Sequence, residues 1–243
     1  MGKIVSVEAA EHIFPYHGAF FMRDWRRYEK WSGSFMLEKC GHDLDLYNGL
    51  IGARPERVAS FGGRKTFIPA NDPRRDGVND LSLYHRKPSG WNGSDKVFDP
   101  DRDIIDYQVA IIEYANGVGM NFHTNLNAPD QFRRFAVFGT KGQAEGNFIR
   151  GFLKVTDVMS EKRVTEVEYN ATALSQHYGT DEKMAEGVGA NVTKGGPVSV
   201  SALEALEAGI LALATDEGRP ARQVIDLRPV WDRYDNALVR KVA

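Results

Sequence analysis

Two runs of alternating apolar and polar residues, joined at Asn116 and Gly117, constrain the fold of this chain more than any other feature. The first run occupies residues 107–114 and the second occupies residues 118–126. Alternation with a period of two is typical of β-strands, and Asn-Gly between two such runs predicts a hairpin with a type I′ turn. The chain is therefore expected to contain an antiparallel sheet.

Further alternating segments extend this expected sheet. Strands are predicted at 3–14, 57–67, 132–139, 143–154 and 163–169. Helices are predicted at 34–52, 179–189 and 199–215, and the last of them begins with a capping box formed by Ser201 and Glu204. At least seven strands, mostly joined by hairpins, predict an α+β fold: a large, open, predominantly antiparallel sheet with helices packed on one face.

An irregular stretch at about 69–103 interrupts this pattern. Loops of this length in compact domains are usually functional lids, oligomer arms or flexible insertions. Residues 99–103 begin like a calcium-binding loop, but Ile104 and Ala110 stand where such a loop needs glycine and glutamate. We predict no metal site there, and we treat residues 1–243 as a single domain with this insertion.

Charge and composition exclude several classes of function. The chain of 243 residues has a formal net charge of −2, and we find no clustered basic face for nucleic acid. No apolar run approaches the roughly 18 residues of a membrane span. A single cysteine, Cys40, cannot form an internal disulfide, which favours a reducing, cytoplasmic location.

The predicted helix at 34–52 carries the most suggestive polar residues. Glu38, His42 and Asp45 follow i, i+4, i+7 spacing and are expected to lie along one face. A carboxylate one turn from an imidazole can raise its basicity and fix its orientation, which suits proton transfer near neutral pH. The alternative is a solvated helix face with an ordinary ion pair.

The segment at 23–31 is rich in tryptophan and arginine. Trp25 offers a flat apolar face to a sugar ring, and Arg26 offers fixed donors to hydroxyl or carboxylate groups. A surface segment anchored by tryptophan is the alternative interpretation.

Several motifs in order along the chain resemble the C-terminal, substrate-binding domain of the Gfo/Idh/MocA family of NAD(P)-dependent oxidoreductases. They are RDWR at 23–26, WSGSFMLEKCGHDLD at 31–45, PERV at 55–58, FGTKG at 138–142 and HYGTD at 177–181. One departure is Glu38, where many members have aspartate. A second is that the N-terminal Rossmann domain of the family is absent from this sequence.

The resemblance implies roles for individual residues. His42 would be the catalytic acid/base, and Glu38 would orient it and accept a substrate hydroxyl. Substrate-binding roles would fall to Lys39, Trp25, Arg26, Asp45, His177 and Asp181. The cofactor would be NAD or NADP, bound mainly by a domain not present in this chain, because no Gly-x-Gly-x-x-Gly turn follows a strand.

The resulting hypothesis is that this chain is the substrate-binding and catalytic-histidine half of a dehydrogenase that acts on a sugar, cyclitol or related polyol. The chain alone is not expected to be catalytically competent. Expected partners are the small-molecule substrate, a separate or truncated Rossmann domain, and further copies of the chain through the open sheet face. One alternative is a non-catalytic sugar-binding or oligomerisation module. Another is part of an NAD-dependent glycosidase. A hydrolase that uses Glu38 and Asp181 as a carboxylate pair is a further alternative.

Overall fold

One open sheet forms the framework of the molecule. The computed structural model describes residues 1–85, 93–94, 96–99, 101–169, 179–198 and 200–242. Within them the strands are β1 (Ile4–His12), β2 (Pro55–Gly63), β3 (Tyr107–Tyr114), β4 (Gly119–Asn125), β5 (Phe132–Gly139), β6 (Gly142–Asn147), β7 (Phe152–Asp157), β8 (Arg163–Glu168) and β9 (Ile225–Asp226). Their order is β8-β7-β6-β5-β1-β4-β3-β2-β9. Every neighbouring pair is antiparallel except β1 and β4, which confirms the predicted fold class.

The described residues form six α-helices and one π-helical turn, and several of these differ from the sequence prediction. They are α1 (Pro15–Arg23), α2 (Glu29–Ser32), a π-helical turn (Met36–Cys40), α3 (Gly41–Ile51), α4 (Thr180–Lys194), α5 (Ala202–Ala221) and α6 (Arg228–Val242). The sequence pattern predicts a loop from Pro15 to Gly18, but this segment belongs to helix α1, which begins at Pro15, a residue whose fixed φ suits a first helical position. The helix predicted at 34–52 is π-helical over its early part, and α6 was not predicted.

The central hairpin is confirmed, but its turn is not type I′. Gly117 has φ +81°, whereas Asn116 does not have a positive φ, and type I′ requires positive φ at both central residues. The Gly117 N–H donates to the Tyr114 carbonyl (2.8 Å), and Tyr114 N–H donates to the Val118 carbonyl (2.9 Å). These bonds define a three-residue loop closed by a glycine in the left-handed region.

The helices cover one face of the sheet. Helix α5 packs on β2, on α3 and on the π turn, and the inward side chains of the central strands, such as Val7, Ile112 and Phe122, are buried there. On the opposite face, Phe61 and Ile111 are each 63% exposed. The prediction of helices on one face is therefore confirmed, and the other face stays open.

The predicted capping box at the start of α5 is present. Ser201 Oγ accepts from the Glu204 N–H (3.2 Å), and the Glu204 carboxylate accepts from the Ser201 N–H (2.7 Å). We expect Ser201→Ala to lower the free energy of unfolding by about 1 kcal/mol, measured by urea denaturation. Glu204→Gln preserves the box chemistry and serves as the matched control. An unchanged unfolding midpoint in Ser201→Ala would contradict this account.

Candidate active site

The candidate site is built on a π-helical turn that lies between a strained residue and α3. Ser34 has φ +139° and follows Gly33 at φ +77°. Ser34 Oγ accepts from the Leu37 N–H (3.1 Å), which fixes the start of the turn. A π turn inside a helix is rare and is often found at functional sites. Here it carries Glu38 and Lys39, and His42 follows in the first turn of α3.

Arg26 joins the tryptophan-rich segment to Glu38. Its Nε donates to Glu38 Oε1 (2.5 Å), and its Nη1 donates to Asp24 Oδ2 (3.0 Å). The guanidinium lies over the Trp25 ring (4.3 Å to the centroid) and near the Phe20 ring (4.9 Å). Three of the residues predicted from sequence, Trp25, Arg26 and Glu38, are therefore in one cluster. Its two carboxylates outnumber the single arginine, so the cluster has a net negative charge, which disfavours an anionic ligand.

His42 is exposed and stands one turn beyond this cluster. Its Nδ1 lies 3.1 Å from the Lys39 carbonyl oxygen. The sequence paired His42 with the Glu38 carboxylate, but in the structure that carboxylate binds Arg26 and the ring binds the backbone instead. The catalytic roles of both residues remain predictions.

Beneath this turn lies a buried ionic network that the sequence analysis missed. Lys39 Nζ is 2.8 Å from Glu11 Oε1, so the lysine predicted to bind substrate is engaged with the sheet. Arg133 Nη2 is 2.7 Å from Asp43 Oδ1, and Arg133 Nε is 3.6 Å from Glu11 Oε1. Glu11 and Asp43 are each 1% exposed. We name these four residues the buried network.

The two acids of the buried network have opposite pKa shifts. Burial raises the pKa of Asp43 to about 8, and the negative charge of Glu11 adds to the effect. Burial would also raise the pKa of Glu11, but the hydrogen bond with Asp43 and the charges of Lys39 and Arg133 outweigh it and lower that pKa. The pair therefore holds one proton near neutral pH, with Glu11 ionised and Asp43 neutral.

This assignment predicts a pH dependence of stability. The native state keeps a proton on Asp43 between pH 3.8 and about 8, a range in which the unfolded chain has released it. The stabilisation that comes from the raised pKa of Asp43 is complete below pH 3.8. It is lost as the pH rises through about 8. The pKa of Glu11 is shifted in the opposite direction, so its contribution to stability changes only below pH 4.5. Urea titrations from pH 5 to 8 should show wild type losing stability relative to Asp43→Asn, and a constant difference would contradict the assignment.

The remaining predicted residues lie elsewhere or outside the described ranges. Asp45 is near His42 and Glu204, and burial followed by the Glu204 charge raises its pKa, so it faces the start of α5. Asp181 is exposed in the first turn of α4. His177 lies outside the described residues. Substrate roles for these three residues remain predictions.

A signal for part of the buried network was present in the sequence. Glu11 continues the inward-facing series of Val7 and Ala9 along β1. A carboxylate at a core position of a strand requires a buried partner, because an unpaired buried charge is costly. The partner Arg133 comes from a distant strand, and no local pattern indicates that pairing.

A second concave region lies on the open face of the sheet. A cavity of about 360 Å³ is lined there by residues that include His12, His123, Arg134 and Glu145. Asn125 Nδ2 is 3.1 Å from His12 Nδ1 and 3.1 Å from His123 Nε2. An amide nitrogen only donates, so both ring nitrogens accept. Burial lowers the pKa of His12 to about 4 and also lowers the pKa of His123, so both rings are uncharged at neutral pH.

The described residues do not fit a dinucleotide by the usual turn. Two described strands lead within two residues into an α-helix: β1 into α1 through Ile13 and Phe14, and β9 into α6 through Leu227. Neither connection contains the glycines that let a pyrophosphate approach the backbone at a helix N-terminus. We therefore derive no catalytic step through a nucleotide held by these turns.

Two further kinds of feature are absent from the described part of the chain. No helix within the ranges given above is both long and apolar enough to cross a bilayer. Nor do the side chains in those ranges include three or more histidine, cysteine, aspartate or glutamate residues grouped as metal ligands.

The family is shown by a direct match. The profile described as "Oxidoreductase family, C-terminal alpha/beta domain" of the Gfo/Idh/MocA type matches residues 1–215. The chain therefore belongs to the Gfo/Idh/MocA oxidoreductase family. It is 26% identical over 181 residues to YteT of Bacillus subtilis (strain 168), a protein named as an oxidoreductase; the match covers 60% of this chain and 42% of YteT.

Solved structures share the fold at low sequence identity. Levoglucosan dehydrogenase in complex with NADH and levoglucosan has a TM-score of 0.68 at 18% identity, covering 93% of this chain and 60% of that one. UDP-N-acetylglucosamine 3-dehydrogenase GnnA from Acidithiobacillus ferrooxidans has a TM-score of 0.56 at 16% identity, covering 90% and 55%. The chain thus spans less than two thirds of the length of these relatives.

Proposed function

We propose that this chain supplies the substrate side of an oxidoreductase that acts on a hydroxyl group of a sugar, cyclitol or related polyol. The observation that carries the proposal is the cluster of Trp25, Arg26 and Glu38, with the exposed His42 one turn beyond it. An aromatic face beside fixed donors and acceptors suits a polyhydroxylated ring. The names of the structural neighbours, which include levoglucosan dehydrogenase, support the substrate class.

In this proposal each group has a defined task. The Trp25 ring packs against the apolar face of the sugar. Arg26 and Glu38 donate to and accept from its hydroxyl groups. His42 accepts the proton that the reacting hydroxyl releases, a role for which an imidazole nitrogen is well suited. NAD or NADP would supply the hydride acceptor and would be held by a domain outside this sequence.

The nucleotide part of the proposal is tested by fluorescence titration of NADH and NADPH against this chain alone. No binding at millimolar nucleotide is expected, because the described turns lack a pyrophosphate cradle. Saturable micromolar binding would contradict the proposal. The substrate part is tested by supplying the nucleotide-binding domain and assaying a panel of sugars and cyclitols. Failure with every polyol in that panel would contradict the substrate class.

A role in self-association is favoured by the open sheet face. Phe61 and Ile111 are each 63% exposed there, and exposed apolar patches commonly mark interfaces. We propose a homodimer through this face. Light scattering should show a dimer that Ile111→Lys weakens at least about tenfold in Kd. Met184→Lys, at an equally exposed position on α4, is the matched control, and a wild-type monomer at every concentration would contradict the proposal.

A further inference from the structure

The backbone beneath His42 determines which of its ring nitrogens carries the proton. His42 Nδ1 lies 3.1 Å from the Lys39 carbonyl oxygen. A carbonyl oxygen only accepts hydrogen bonds, so in the neutral ring Nδ1 must carry the hydrogen. The lone pair is then on Nε2, the outer nitrogen of an exposed side chain.

The residue that provides this carbonyl is itself anchored to the sheet. Lys39 Nζ is 2.8 Å from Glu11 Oε1, and the Glu11 side chain is only 2% exposed, against 31% for Lys39. Glu11 belongs to β1, which is paired on both sides, with β4 and with β5. The Lys39 side chain therefore ties the π turn to the middle of the sheet.

The other charged and polar groups around this anchor reinforce it. Arg133 on β5 faces Glu11 at 3.6 Å and Asp43 at 2.7 Å, and Asp43 directly follows His42 in α3. Polar neighbours on the same side are Cys40, Tyr47 and Thr124. Lys39 and Arg133 both face the ionised Glu11, and Arg133 also donates to Asp43, so the turn is held on both sides of His42.

We propose that Lys39 and Glu11 are positioning residues that fix His42 in its Nδ1–H form and present Nε2 as the proton acceptor. Lys39, which the sequence assigned to substrate, acts here through the His42 ring. The inference rests on the proposed function only for the use of Nε2, because the position of the proton can be measured without turnover.

The test is long-range proton–nitrogen NMR of the full chain at a pH of about 8.5, where an ordinary histidine is neutral. His42 signals are assigned by their loss in His42→Gln. Wild type is expected to show the Nδ1–H form. Lys39→Met is expected to reduce the ratio of Nδ1–H to Nε2–H by about fivefold, the scale of one weakened hydrogen bond. Lys39→Arg keeps the ion pair and should restore the ratio.

Lys154→Met is the matched control, because Lys154 pairs with Glu166 at 3.6 Å and is 27% exposed, but lies on β7. It should leave the His42 signals unchanged. A wild-type Nε2–H form, or a Lys39→Met ratio equal to wild type, would overturn the inference. Glu11→Gln should lower the ratio in the same direction, and Lys39→Met tests the inference even if Glu11→Gln fails to fold. The proposed function is tested separately, by the activity of His42→Ala. Failure of the proposed function can therefore be distinguished from failure of this inference, which is read from the NMR signals.

Discussion

Replacing Glu11 with glutamine is expected to lower the free energy of unfolding by about 3 kcal/mol, the low end of the range for a broken buried ion pair. Glu11 is the ionised acid of the buried network, and its carboxylate faces both Lys39 and Arg133. Glutamine would leave the lysine without an opposite charge at contact distance. The loss is limited because Asp43 can ionise once the neighbouring carboxylate is gone.

Asp43→Asn is the matched comparison, since asparagine resembles the neutral carboxyl that the structure assigns to this position. We expect it to cost about 1 kcal/mol or less, because the amide oxygen can still accept from Arg133. Urea denaturation of both variants at pH 7 measures the contrast. Equal losses of unfolding free energy in the two variants would contradict the assignment of the shared proton to Asp43.

Replacing His42 with alanine is expected to reduce kcat by about 10²- to 10⁴-fold in the oxidoreductase assembled with its nucleotide-binding domain. His42 is the exposed base one turn beyond the cluster formed by Arg26 and Glu38, and alanine removes it. The loss should fall on kcat more than on KM, because the proton is transferred in the transition state and not in the ground state. Steady-state kinetics with varied polyol give both values.

His123→Ala is the control for this measurement. His123 lies on β4 and lines the cavity on the open face of the sheet, away from the π turn. It should keep a kcat within about twofold of wild type, a factor well under 1 kcal/mol. If His123→Ala abolished turnover and His42→Ala did not, the active site would be on the open face.

The fold was largely predictable because most of its elements carry local signals. The alternation of residues 107–126 and the capping box of Ser201 both led to elements that the structure contains. The predicted type of the central turn was wrong, because Asn-Gly also suits a three-residue loop in which only Gly117 needs a positive φ. Helix α1 was missed because proline often ends a strand, and Pro15 was interpreted as the end of β1 when it is the first residue of a helix.

The candidate site was predictable only in part. Trp25, Arg26 and Glu38 were singled out separately from the sequence, and the structure shows that they form one cluster. The π turn was not foreseen, because apolar periodicity does not distinguish it from an α-helical turn over five residues. The pairing of Asp43 with Arg133 joins residues 90 positions apart, and a long-range contact of this kind leaves no mark on local spacing.

The measurement that tests the central claim most directly is an NMR titration of the chain with individual sugars and cyclitols, observing the His42 imidazole and the Trp25 indole. The account predicts saturable shifts at both side chains with at least one polyol, while the signals of His123 remain fixed. Shifts confined to His123 would place the binding site on the open sheet face. Either that result or the absence of any response at His42 and Trp25 would contradict the claim that these residues bind the substrate.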